Sequence, residues 1–154
     1  MKNLIYIILL LLPLAAFSQE YSYEQDYYDK EKTNIKDSYG NVVGYMKVDY
    51  YDKEKTNIYD SNGNIVKTIK NDYYDNGKTN TYDSYGNLSK SEKKDYYNKE
   101  RTNIYDDYGN LTGYREQDYY DKDKINVFNK HGNKVGYYKR NYYSGDWEYH
   151  KSPY

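Results

Sequence analysis

Polar and apolar residues alternate over short stretches along most of the chain, as in Lys55-Thr-Asn-Ile-Tyr-Asp60, and each stretch stops at a turn signal. A period of two ended by Gly, Asn and Asp predicts β-strands joined by tight turns. The pattern returns at a fixed step. An Asp or Asn followed by two tyrosines begins at Asp26, Asp49, Asp72, Asp95, Asp118 and Asn141, always 23 residues apart. Gly40, Gly63, Gly86, Gly109 and Gly132 keep the same step. Strict periodicity of this length marks a stacked repeat architecture in which neighbouring units share one buried face.

The turns define the unit. In Tyr59-Asp-Ser-Asn-Gly-Asn64, Asp suits the first position of a type I turn and Gly63 the position that needs a positive φ, as in a three-residue hairpin loop with a bulge. The other four glycines of the column are read as structural turn residues on the same ground. A second reversal is masked in most copies but visible at Asp75-Asn-Gly-Lys78, a strong hairpin signal. Placing that loop at Lys53-Glu54 leaves a six-residue strand, Lys55 to Asp60, facing a twelve-residue segment, Asn64 to Asp75. The long segment must therefore bend, with Gly44, Gly113 and Gly136 as the expected corners. The fold predicted is all-β: a repeat array of five 23-residue β-hairpin units forming an elongated, coiled antiparallel meander. A parallel solenoid is the alternative. Residues 26–140 form the array, 19–25 a lead and 141–154 a diverged cap.

Two aliphatic columns are candidates for the core: Ile35, Ile58, Thr81, Ile104 and Val127, and Val42, Ile65, Leu88 and Leu111. Most remaining apolar surface is tyrosine, of which the chain has 27. If the paired tyrosines lie in strands, alternation sends one to each face of the sheet. Disorder does not fit a chain this rich in aromatics that holds turn glycines in register. The asparagine column Asn34, Asn57, Asn80, Asn103 and Asn126 is expected, in a meander, to bond neighbouring backbone.

Residues 1–18 have Lys2, an apolar run from Leu4 to Leu14, and Ala16 and Ser18 around Phe17, the pattern of a secretory signal cut before Gln19. The run falls short of the ~20 apolar residues that span a bilayer. The protein is thus expected outside the cytoplasm, secreted, periplasmic or at the cell surface, with no membrane span after cleavage. With 0 cysteines there is no disulfide, no thiolate site and no lipoprotein anchor. With 23 basic against 24 acidic residues there is no electrostatic case for nucleic acid.

At the turn the copies read Y-D-S-N-G-N-I (59–65), Y-D-S-Y-G-N-L-S (82–89) and Y-D-D-Y-G-N-L-T (105–112). This resembles the YD repeat of RHS-type and teneurin-type proteins, cleanly in the second to fourth copies. The first copy has Lys36-Asp37, and the fifth has Phe128-Asn129. In that family many tens of repeats spiral into a hollow β-shell, and five cannot close one. Tyr73-Tyr-Asp-Asn-Gly-Lys78 is similar, more weakly, to variant MORN repeats. Both resemblances imply hairpin repeats without fixing a function.

Catalysis has little support: His131 and His150 are the only histidines, no serine sits in a nucleophile elbow, and the repeated aspartates suit a structural role. The loop Asp60-Ser-Asn-Gly-Asn64 lacks the spacing of a calcium site. No enzyme, metal or cofactor is expected. The leading expectation is a non-enzymatic binding or scaffold module for a polysaccharide or protein, with Tyr51, Tyr74, Tyr97 and Tyr120 as candidate contact residues. The alternatives are an immunity-like or accessory partner of a secreted toxin, and a structural protein that self-associates through its sheet edges.

Overall fold

The computed structural model describes residues 21–143 and 145–152. The secretory segment read from 1–18 lies outside them. Among the described residues there is no helix, and twelve strands form one sheet in strict sequence order. They are β1 (Ser22–Gln25), β2 (Lys32–Lys36), β3 (Val42–Val48), β4 (Lys55–Asp60), β5 (Ile65–Asn71), β6 (Lys78–Asp83), β7 (Leu88–Lys94), β8 (Arg101–Asp106), β9 (Leu111–Gln117), β10 (Lys124–Asn129), β11 (Lys134–Arg140) and β12 (Trp147–Lys151). Every adjacent pair is antiparallel, so the predicted meander is the fold. It coils until β1 comes back beside β12, with Cα atoms within 8 Å, although those two strands are not hydrogen-bonded neighbours. The result is a nearly closed barrel.

The glycine turns form as their chemistry requires. Gly40, Gly63, Gly86, Gly109 and Gly132 have φ between 82° and 85°, and each donates its N–H to the carbonyl of the residue three before it. The expected twelve-residue strand does not form. Strand β5 ends at Asn71, and Asp72 to Gly77 form a loop. Tyrosine's strand propensity is overridden by the aspartate in front of it, whose carboxylate bonds the loop's own amides. No corner at Gly44 divides β3. The irregularity is a bulge, since Ile35 pairs with Gly44 while Lys36 pairs with Val42, leaving Val43 as the extra residue. The same step recurs in the β4–β5, β6–β7, β8–β9 and β10–β11 hairpins. Five such bulges supply the added twist that coils the sheet.

The first aliphatic column faces inward: Ile58, Thr81, Ile104 and Val127 are buried and Ile35 is partly so. The second does not, because the bulge turns it outward, and Val42, Ile65 and Leu111 are exposed. The true second column is Tyr23, Met46, Ile69, Glu92, Arg115 and Tyr138, again 23 residues apart and all 5% exposed or less. Apolar members of both columns join Trp147 in one cluster. At ~1.5–3 kcal/mol for each large apolar side chain, this interior is the main source of stability. On the β7–β9 side the column becomes ionic. Arg115 pairs with Glu92 inside the barrel, and Lys90 Nζ lies 3.1 Å from the other Glu92 oxygen. Burial pushes the Lys90 ammonium below its ordinary pKa, against the pull of Glu92.

Candidate functional site: a tyrosine rim

In a meander all odd-to-even connections leave from one end. Here those six loops carry the six tyrosine pairs, from Tyr27-Tyr28 to Tyr142-Tyr143. The twelve rings are 77–94% exposed. Within each pair the rings meet edge to face, with centroids 4.9–5.4 Å apart and planes at 85–87°. The two tyrosines of a pair are therefore not sent to opposite faces of the sheet; both stand on the rim. The candidates Tyr51, Tyr74, Tyr97 and Tyr120 are the second members of their pairs and are 91–94% exposed. Lys30, Lys53 and Lys99 lie 5.1–5.5 Å from the ring centres of the first members Tyr27, Tyr50 and Tyr96. The opposite end carries the glycine turns with Tyr39, Tyr85, Tyr108 and His131, all exposed.

Each rim loop is fixed from within. The Oδ1 atom of Asp49 accepts the N–H groups of Tyr51 and Asp52, and its Oδ2 accepts Nδ2 of Asn57 at 3.0 Å. Asp26, Asp72, Asp95 and Asp118 repeat this set with Asn34, Asn80, Asn103 and Asn126. The asparagine column thus serves the aspartates, not neighbouring backbone as expected. Accepting the amides of Asp52 and Tyr51 and the Asn57 amide holds the Asp49 carboxyl down at about 2. The Asn126 amide and the Tyr120 N–H do the same for Asp118, also at about 2.

A second tie crosses to the second strand after each loop. Lys47 reaches Asp29 at 2.6 Å, Lys70 reaches Asp52 and Lys93 reaches Asp75 at 2.7 Å, and Lys139 pairs with Asp121. In the β7–β8 loop both partners change together: Asn98 replaces the aspartate and donates to Glu116, which replaces the lysine. At the loop bases, Gln117 Nε2 bonds three carbonyls of its loop, and Gln25 and Lys94 each bond one. The rings therefore project from a backbone held at several points, and little conformational freedom remains to be lost when they are covered.

Among the described residues no group of three or more His, Asp or Glu could hold a metal ion. His131 is in an exposed turn, and His150 stacks on Tyr137 with centroids 5.0 Å apart. An apolar hollow of about 290 Å³ opens among Tyr21, Tyr23, Ile35, Val43, Ile58 and Val66.

No family model matches the chain, and no curated protein matches it. Among solved structures it is similar to a protein from Arabidopsis thaliana known from X-ray analysis. The TM-score is 0.61 at 13% identity, over 88% of this chain and 80% of that one. At that identity the likeness is one of fold.

Proposed function

We propose that this is a non-enzymatic binding module of the cell exterior whose contact surface is the tyrosine rim, and whose ligand is a polysaccharide or a protein surface. The observation that carries the reading is twelve nearly bare tyrosine rings on one end of a barrel, five of the pairs on loops pinned by their own aspartate and the sixth on one pinned by Asn141. A folded protein does not gain stability from rings so exposed, whereas a partner that covers them gains area and stacking at low entropic cost. Neighbouring pairs follow every second strand, about 10 Å apart, so contacts add around the rim. The ring of sites suits a broad surface or a polymer better than a small molecule.

The test uses the exported chain against cell-wall polysaccharides and an extracellular protein extract. Joint replacement Tyr74→Ser, Tyr97→Ser and Tyr120→Ser should abolish the binding shown by the parent while the β-sheet circular dichroism stays. Tyr39→Ser, Tyr85→Ser and Tyr108→Ser at the other end should leave it intact. A parent that binds nothing, or a rim variant that binds like the parent, overturns the reading.

A further inference from the structure

A second property of the rim is chemical and does not depend on any ligand. The chain contains no cysteine. Its one tryptophan, Trp147, is 6% exposed, and Met46 is 1% exposed. Tyr23 and Tyr138 are equally enclosed, and burial pushes both phenols well above the ordinary tyrosine range, which opposes loss of a proton. A one-electron oxidant arriving from water therefore meets exposed phenols, twelve on the rim against Tyr39, Tyr85 and Tyr108 at the turn end, and their protons can pass directly to solvent. The easily oxidised side chains of the folded domain are sorted, with sulfur, indole and the phenols of Tyr23 and Tyr138 inside and the rim phenols outside.

We propose that the tyrosine rim is a site of oxidative cross-linking between molecules, where phenols of two copies couple while a peroxide is reduced by a peroxidase-type catalyst. Each phenol gives up one electron and one proton to become a phenoxyl radical. Two radicals then join through ortho ring carbons, and each ring regains aromaticity by moving its ortho hydrogen to the oxygen. One peroxide takes up the two electrons and two protons and leaves as two waters, so the balance closes.

Geometry directs the coupling outward. In a pair, the edge of one ring points at the face of the other at 85–87°, which does not bring two ortho carbons edge to edge. The next pair is about 10 Å away along the sheet. The loops are pinned by Asp26, Asp49, Asp72, Asp95 and Asp118 and cannot swing to close that distance. A radical on the rim therefore persists until another molecule presents its own.

The experiment treats the purified exported chain with hydrogen peroxide and horseradish peroxidase. It follows dityrosine fluorescence and covalent species on denaturing gels, and maps linked peptides by mass spectrometry. The expected result is a ladder that survives boiling, with the mapped links joining tyrosines of the six rim pairs. Changing Tyr to Phe at the twelve rim positions keeps the rings but removes the phenols, and should collapse the ladder to whatever the turn-end phenols Tyr39, Tyr85 and Tyr108 can link. Tyr39→Phe, Tyr85→Phe and Tyr108→Phe should leave rim-to-rim links in place. The proposal is overturned if no covalent species form, or if the links in the parent map to the turn end or the barrel wall, a reading that needs no variant to fold. Because phenylalanine still offers a ring for stacking, lost cross-linking with retained ligand binding separates this proposal from the binding function.

Discussion

Asn57 Nδ2 donates to Asp49 Oδ2 at 3.0 Å, joining the third residue of β4 to the residue that opens the preceding loop, eight positions earlier. The same bond recurs in four other copies, at 2.9–3.0 Å. It makes the loop an extension of the strand, and it makes rim order depend on carboxylate charge.

That dependence sets the response to acid. The carboxyls of Asp49 and Asp118 sit at about 2 in the fold, below the value of about 4 usual in an unfolded chain. A depressed folded pKa gives stability that is fully present above the unfolded value and is lost as pH falls through the folded one. The melting temperature should hold down to about pH 5 and then fall steadily toward pH 2. Asp49→Asn with Asp118→Asn should melt lower than the parent at neutral pH and show a smaller drop across that window. Asn141 shows that asparagine can open such a loop, since its Oδ1 accepts the N–H of Tyr143, but there its amide faces Glu148 instead of another amide.

The glycine turns were legible because Asp-x-x-Gly-Asn has one conformational meaning, and all five glycines have positive φ. The rim was not, because Asp-Tyr-Tyr has two. Tyrosine favours strands, and only the aspartate's bonds to the next amides choose the loop. The pairing of Asp49 with Asn57, constant through five copies, was the available signal. The buried column 23, 46, 69, 92, 115, 138 escaped notice because tyrosine, methionine, isoleucine, glutamate and arginine share no chemistry. They share a place inside the barrel, and from Met46 onward a bulge in the residue's own hairpin decides which side of the sheet that is.

Gly86→Val should destabilise the protein by about 1–3 kcal/mol, read from the denaturant midpoint. A Cβ at Gly86 would meet nothing within 4 Å, so the cost comes from its φ of +84° alone. Tyr85→Ser beside it, exposed and without a packing role, should stay within about 0.5 kcal/mol. Equal midpoints for Gly86→Val and the parent would contradict the left-handed turn.

Glu92→Ala should cost about 3–5 kcal/mol, because it leaves Arg115 and Lys90 without their shared partner in the barrel. The triple change Glu92→Ile, Arg115→Met and Lys90→Met removes all three charges together and extends the apolar chemistry that Met46 and Ile69 already give the column. It should unfold at or above the parental midpoint. If the single variant were as stable as the parent, water would have to reach the pair.

Among the described residues, the place where β1 approaches β12 is a clasp without a strand ladder. Everywhere else around the barrel a strand is held to its neighbours by a ladder, while this joint is closed by Tyr23, Tyr138 and Trp147 of the common cluster, with Tyr149 packed against them. Opening it exposes aromatic surface but breaks no ladder, so it is the least costly way for the ring to come undone. The barrel thus behaves as a bracelet with one fastening. Because the chain's single tryptophan sits in that fastening, its emission reports when the bracelet is shut.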